Sequence, residues 1–116
     1  MVNNIICQDV SAKPLNGLYE MCIYNHDTGF SDNPPYRGIL VWLAAYLQGS
    51  GHPTVLDLPP AETDEEQVDG SITIDQERFE VYFDTALAYI SWYSRNRVAL
   101  IKVARLIHNL KPQVAV

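Results

Sequence analysis

Two stretches of the chain repeat apolar residues at the spacing of an amphipathic α-helix. In the first stretch, the apolar positions are Ile39, Leu40, Leu43, Tyr46 and Leu47. Asn33 and Pro34 suit a helix start, because asparagine can cap free backbone N–H groups and proline needs none at the first helical position. We therefore predict the first helix over residues 34–48.

The second helical pattern lies near the end of the chain. Its apolar positions are Leu100, Val103, Ile107 and Leu110, widened by Val98, Ile101 and Ala104. Ser94 or Asn96 can cap this helix, and Pro112 can end it. The pattern predicts a helix over residues 96–110.

Runs of β-branched and aromatic residues outside the helices predict strands. These runs span residues 4–8, 17–25, 53–60, 71–75, 78–84 and 86–94. Glu80, Tyr82 and Asp84 alternate with apolar residues, so they should share one face of the sheet. For 86–94, a helix that begins near Asp84 is the alternative to a strand.

The acidic segment 61–70 has the composition of a solvated loop. We expect it to turn at Asp69 and Gly70 into the strands that follow. A second tight turn is expected between Asp75 and Arg78.

The resulting order is β-β-α-β-β-β-β-α, within a length of 116 residues that suits one domain spanning 1–116. The last strands predict a C-terminal β-meander. We therefore predict a single α+β domain, with a mainly antiparallel sheet and two amphipathic helices packed on one face. The stretch 17–58 also fits a βαβ crossover.

The charge along the chain is strongly uneven. Residues 57–84 hold ten acidic residues and one basic residue, whereas five basic residues and no acidic ones follow Asp84. The formal net charge of −6 opposes binding to phosphate backbones and favours basic partners. No membrane helix or secretory signal is visible, so we expect a cytoplasmic protein without membrane association.

The segment DEEQVDGSITIDQE, residues 64–77, partly matches a calcium loop of the EF-hand type. With Gly70 at position 6, position 12 is Gln76 rather than a bidentate glutamate, and Pro59 and Pro60 oppose an entering helix. A zinc site from Cys7, Cys22 and His26 lacks a nearby fourth ligand. We therefore expect no metal and no cofactor.

Catalytic motifs are equally weak in this sequence. Cys7 or Cys22 with a histidine would form a nucleophile and base, and Asp27 could orient His26, but nothing resembles a nucleophile turn. Phosphate-binding glycine loops are missing as well. We therefore expect a protein without enzymatic activity. A deep cleft lined by His26, His52 or His108 is what the enzyme alternative would require.

The leading hypothesis is a small binding protein that docks an acidic surface on a basic protein partner. Its most concrete form is an immunity protein that neutralises a bacterial toxin, for example a nuclease. The residues expected to bind the partner are Glu62, Asp64, Glu65, Glu66, Asp69, Glu80, Tyr82 and Asp84. Aromatic residues such as Trp92 and Tyr93 either complete the core or join that surface.

The alternative is a structural or adaptor subunit that acts through an apolar face or a sheet edge, with a homodimer as its simplest form. The basic residues near the C-terminus offer a weaker nucleic-acid hypothesis. The acidic segment opposes it, so we expect no nucleic acid among the partners.

Overall fold

A computed structural model describes residues 5–7, 10–25, 36–60, 67–84 and 89–108. The elements are β1 (Ile5–Cys7), β2 (Tyr19–Asn25), α1 (Tyr36–Gly49), β3 (Thr54–Asp57), β4 (Gln67–Ile74), β5 (Glu77–Asp84), β6 (Ile90–Ser94) and α2 (Arg97–His108). This order confirms the predicted sequence of strands and helices. The fold class, an α+β domain built on an antiparallel sheet, is confirmed with it.

The strands form one six-stranded sheet in the order β1-β2-β6-β5-β4-β3, and every neighbouring pair is antiparallel. β4, β5 and β6 form the predicted meander. β2 and β3 run in the same direction, but β6, β5 and β4 lie between them. The connection through α1 therefore spans the sheet instead of joining two adjacent parallel strands.

The β4–β5 hairpin turns at Asp75 and Gln76, one residue earlier than the turn predicted between Asp75 and Arg78. Both residues have positive φ angles, 51° and 71°, which is the backbone conformation of a two-residue type I′ turn. The turn aligns Ile74 with Glu77 and brings eight pairs of residues into register up to Gln67 and Asp84.

One face of the sheet is apolar and buried. Val81 lies between Gly70 and Trp92 on the neighbouring strands, and Trp92 in turn faces Met21. The buried side chains of both helices belong to the same core cluster: Ile39, Leu40, Leu43, Leu47, Leu100, Val103 and Ile107. The core thus lies on a single face of the sheet.

The helices follow the apolar patterns closely. Asn96 caps α2, because its Oδ1 accepts a hydrogen bond from Ala99 N at 3.1 Å, while Ser94 Oγ accepts one from Asn96 N at 2.9 Å. Val98 does not widen the buried side as predicted, since it is 75% exposed. Asn33, Pro34, Leu110 and Pro112 lie outside the described residues. Neither described helix is long and apolar enough to cross a bilayer.

The structure corrects the prediction of a loop over 61–70. Residues 67–70 belong to β4, so Asp69 and Gly70 lie within a strand and form no turn. The remaining residues of that loop, 61–66, lie outside the described part of the chain. Pairing with β5 explains the difference, because every residue of β4 has a partner there.

The interpretation of 86–94 as a strand is confirmed for Ile90–Ser94, which forms β6. Trp92 is fully buried, with its ring centroid 6.2 Å from that of Phe79. It therefore completes the core and does not belong to a binding surface.

Candidate protein-binding face

The second face of the sheet is polar, and we call it the open face. Side chains alternate along each strand, so the residues on this face follow from the register. They are Glu20 and Cys22 of β2, Val55 and Asp57 of β3, Gln67, Asp69, Ser71 and Thr73 of β4, Arg78, Glu80, Tyr82 and Asp84 of β5, and Ser91 and Tyr93 of β6. All of these residues come from the five strands β2 to β6, and none comes from a helix.

Carboxylates dominate the open face. Among its residues are five carboxylates and one guanidinium, that of Arg78. Asp57, Asp69 and Glu80 are exposed, while Glu20 and Asp84 are partly buried. The face is therefore strongly negative, and three of its five carboxylates are exposed.

One row crosses five strands without a break. Asp57 of β3 faces Ser71, Ser71 faces Glu80, Glu80 faces Tyr93, and Tyr93 faces Glu20 of β2. Neighbouring strands lie about 4.8 Å apart. The row thus places three carboxylates at regular intervals along a line of roughly 20 Å.

A shallow depression of about 370 Å³ opens at the β3 end of this row. Its lining residues are Asp57, Pro59, Asp69, Gly70, Ser71, Arg78 and Glu80. Arg78 Nη2 lies 3.5 Å from Glu80 Oε1, and both side chains are more than half exposed, at 66% and 56%. Such an exposed ion pair is worth only about 0–1 kcal/mol, so it leaves Glu80 accessible to other cations.

The β2 end of the row is held by hydrogen bonds. Glu20 Oε2 accepts hydrogen bonds from Ser91 Oγ at 2.8 Å and Tyr93 OH at 3.2 Å. Cys22 Sγ lies 3.6 Å from the same oxygen and donates to it. Three donors on two strands therefore fix the position of one carboxylate.

This arrangement lowers the reactivity of the Cys22 thiol. Burial and the neighbouring Glu20 carboxylate raise the pKa of the Cys22 thiol from 9.0 to about 11. The thiol is then protonated at neutral pH, whereas a thiolate is the nucleophilic form. This geometry opposes the use of Cys22 as a catalytic nucleophile.

The two cysteines cannot form a disulfide in this sheet. Cys7 of β1 is paired with Ile23, so Cys7 and Cys22 point to opposite faces. Both residues carry reduced thiols. Among the described residues, no group of histidine, cysteine and carboxylate side chains is arranged to hold a metal ion.

The tyrosines add aromatic surface beside the carboxylates. Tyr82 OH lies 3.3 Å from Asp84 Oδ2, which also accepts a hydrogen bond from Gln67 Nε2 at 3.1 Å. Partial burial, followed by the charge of Asp84, raises the pKa of Tyr82. Burial likewise raises the pKa of Tyr93, and the Glu20 carboxylate adds to the effect. Both phenols stay protonated and able to donate hydrogen bonds across the physiological range.

Four of the eight residues predicted to bind a partner lie together on the open face: Asp69, Glu80, Tyr82 and Asp84. The other four, Glu62, Asp64, Glu65 and Glu66, lie outside the described residues. Sequence reasoning missed Glu20, Ser71 and the place of Asp57 in the row. The alternation of polar Glu20 with buried Met21 could have revealed that Glu20 lies on the open face. Apolar residues at both alternating sets of positions in this strand obscured that pattern.

The basic residues after β6 do not neutralise the open face. Within the described ranges, Arg95, Arg97, Lys102 and Arg105 form no ion pair with a carboxylate, and Arg97 Nε instead donates to Ser11 O at 3.0 Å. His52 Nδ1 lies 2.8 Å from Asp75 Oδ2, at the hairpin turn. His108 is exposed at the end of α2, and His26 lies outside the described residues.

No protein-family model, curated protein or solved structure matches the chain.

Proposed function

We propose that this protein is a small acidic binding domain that docks the open face of its sheet on a basic surface of a partner protein. In its most concrete form it is an immunity protein, and the partner is a bacterial toxin such as a nuclease. The proposal also treats it as a cytoplasmic protein without enzymatic activity.

The observation that carries the proposal is the row of carboxylates on the open face. Like charges lined up across a sheet repel one another and bring no benefit to folding. Asp57, Asp69 and Glu80 are exposed all the same, and the described cations that follow β6 do not compensate them. Docking on a cationic surface would place opposite charges against them, and this is the role that we infer for the row.

A basic active site offers such a surface. A nuclease presents lysine and arginine side chains that neutralise phosphates, and a regular line of carboxylates can occupy the same positions. Electrostatic complementarity of this kind speeds the encounter and suppresses other partners. Charge pairs that become desolvated on docking would each contribute about 1.5–7 kcal/mol of coupling.

The test first reads the genes beside the one for this protein, and a secreted toxin domain encoded immediately upstream is then the partner used. Association is followed by stopped-flow fluorescence at low and high salt, for the wild type and for the double variant Asp69→Asn/Glu80→Gln. We expect association of the variant to be about tenfold slower at low salt and similar at high salt, because steering by exposed charges is screened.

The matched control is Asp75→Asn/Glu77→Gln. It removes the same two residue types and the same charge, but Asp75 lies in the hairpin turn and Glu77 is on the opposite face from Glu80. The proposal requires the control to associate like the wild type. Equal slowing of both variants would show that net charge alone matters. No upstream toxin, or no inhibition of its activity, would overturn the immunity function.

A homodimer formed through the edge of the sheet is the second candidate. β3 ends the sheet and pairs only with β4 among the described strands, and Val55 in its middle is 66% exposed. Unpaired strand edges are templates for pairing with another chain. Light scattering should then give twice the chain mass, and Val55→Lys should restore the single mass. A single mass for the wild type would contradict this candidate.

A further inference from the structure

A cavity of about 150 Å³ lies on the helix side of the sheet, where the end of the β4–β5 hairpin approaches α2. Its position follows from where the helices pack. α1 packs against β3, whereas α2 packs mainly against β1, β2 and β6. The hairpin end therefore lies beside α2, and the cavity occupies the space between the two. It is lined by Ile74, Asp75, Glu77, Phe79, Ala99, Lys102, Val103 and Leu106.

The floor of the cavity is apolar. Ile74, Phe79 and Val103 belong to the core, with exposed fractions of 2%, 1% and 4%. Ala99 and Leu106 are partly buried and extend the apolar wall along α2. An apolar cavity of roughly this volume accommodates one benzene-sized group. The floor thus suits a branched aliphatic or a single-ring aromatic side chain.

Behind the floor lies Trp92, whose ring centroid is 6.2 Å from that of Phe79. Trp92 is fully buried, yet its Nε1 has no hydrogen-bond partner within the described residues. Buried donors are normally paired, so the core is incompletely satisfied directly beneath this cavity. Because no hydrogen bond holds the indole N–H, its NMR resonance should respond to any group that displaces Phe79.

Two opposite charges stand at the mouth of the cavity, on different elements. Glu77 begins β5 and is partly buried, and Lys102 is exposed on α2. Within the described ranges, neither side chain forms an ion pair or a side-chain hydrogen bond. Asp75, by contrast, contacts His52 Nδ1 at 2.8 Å. The mouth therefore offers one carboxylate and one ammonium group to a ligand.

We propose that this cavity binds a free α-amino acid with an apolar side chain, such as leucine or phenylalanine. The side chain fills the cavity, the α-ammonium group donates to the Glu77 carboxylate, and Lys102 donates to the α-carboxylate. An apolar pocket with a few convergent polar groups is the usual form of a small-molecule site. The cavity lies on the opposite side of the sheet from the open face, so this inference does not rest on the proposed function.

The charges at the mouth favour a zwitterion over other apolar ligands. A fatty acid would bring its carboxylate towards Glu77, and an alkylamine would bring its ammonium group towards Lys102. A side chain of a partner protein would fit the floor, but its flanking peptide groups are neutral and would leave both charges unmatched. A free amino acid places an opposite charge against each of the two residues.

The experiment is an NMR titration of the ¹⁵N-labelled full chain with L-leucine at pH 7. The amides of Phe79 and Val103 and the indole N–H of Trp92 should shift in a saturable manner, and L-phenylalanine should shift the same resonances. Glycine carries both charges without a side chain. It should bind at least about tenfold more weakly, because it leaves the apolar floor uncovered.

Variants at the mouth separate the two charges. Lys102→Gln should bind L-leucine roughly threefold to tenfold more weakly, since a charge-assisted hydrogen bond at an exposed position is lost. The same variant should bind L-leucine amide like the wild type does, because that probe has no carboxylate. Glu77→Gln should weaken binding of both probes, since both carry the ammonium group.

Matched controls remove the same kinds of charge elsewhere. Arg105→Gln removes an exposed cation from α2, and Glu80→Gln removes a glutamate from the other face of β5. Neither residue lines the cavity, so both variants should bind L-leucine like the wild type. Ala99→Leu should fill the cavity and abolish the shifts, while its amide spectrum shows that it is folded.

Several results would overturn the inference. Absence of saturable shifts with both L-leucine and L-phenylalanine would exclude the site. Equal binding of glycine would exclude the apolar floor from recognition. Equal binding of Nα-acetyl-leucine amide, which carries neither charge, would identify a pocket for a side chain of a protein partner instead. If Lys102→Gln and Arg105→Gln bind L-leucine equally well, the charge at the mouth plays no part in binding.

Discussion

Glu20 Oε2 accepts a hydrogen bond from Ser91 Oγ at 2.8 Å, although the two residues lie 71 positions apart in the chain. This bond joins β2 to β6 and so connects the N-terminal hairpin to the C-terminal meander. It also fixes the carboxylate that faces Cys22 and Tyr93. The electrostatic state of this end of the open face therefore depends on contacts between residues far apart in the chain, since Tyr93 OH also donates to Glu20 Oε2.

Replacing Glu20 by glutamine should make Cys22 more reactive. The Glu20 charge is the second cause, after burial, of the raised pKa of the thiol. Without it the pKa should fall from about 11 but stay above 9.0, because burial remains. Alkylation by iodoacetamide at pH 8.5 should be roughly threefold to tenfold faster. Peptide mass spectrometry measures the rate of alkylation at Cys22, and Cys7 on the opposite face serves as an internal reference.

Glu77→Gln is the control for this experiment. It removes a glutamate from the other face of the sheet and should leave the reactivity of Cys22 unchanged. If Cys22 reacts equally fast in all three proteins, burial alone determines its pKa.

Cys22 should also make stability depend on pH in the alkaline range. Its pKa is about 11 in the folded protein and about 9.0 when the thiol is exposed, so the unfolded chain loses this proton first. The resulting stabilisation is complete below pH 9 and is lost as the pH rises towards 11. Because the thiol is only half-buried, screening limits the effect to about 1 kcal/mol.

Urea denaturation at pH 8 and pH 10.5 measures this effect, with Cys22→Ala as the comparison. The wild type should lose more unfolding free energy between the two pH values than the variant does. The two proteins differ only at Cys22, so the difference reports on this thiol and on Tyr93, whose pKa the thiol influences. An equal loss in the two proteins would contradict the raised pKa.

Patterns among residues close in sequence were sufficient to predict the helices. The cap of α2 could be predicted because Asn96 acts on Ala99, three residues away, and an apolar stripe repeats within each turn. The alternation in β5 likewise predicted that Glu80, Tyr82 and Asp84 share a face, and the structure places them together. Each of these features is determined by residues close in sequence.

The features that the sequence could not predict depend on pairing between strands that are distant from one another in the chain. Asp69 and Gly70 disfavour strands, yet pairing with Tyr82 and Val81 of β5 holds them in β4. The row through Ser71 and Glu20 depends on the order of strands in the sheet, in which β2 lies beside β6. No local pattern encodes that order, so the site could be predicted only in part.

Gly70 is required by the close approach of the chain that leaves β3. A Cβ at this position would lie 2.5 Å from Leu58 Cδ2 and 2.6 Å from Asp57 O. The side chain of Leu58 can move, but the carbonyl oxygen belongs to the backbone of the neighbouring strand. Gly70→Ala must therefore displace β3 or the residues after it, at a cost of about 1–3 kcal/mol.

Gly38→Ala is the matched control for this prediction. Gly38 is exposed on α1, and a Cβ there would meet no atom of another described element within 4 Å, so alanine should stabilise the helix by about 0.5–1 kcal/mol. The free energy of unfolding measured by urea denaturation should thus fall for Gly70→Ala and rise for Gly38→Ala. A Gly70→Ala protein as stable as the wild type would show that the approach of Leu58 to β4 is looser than the structure indicates.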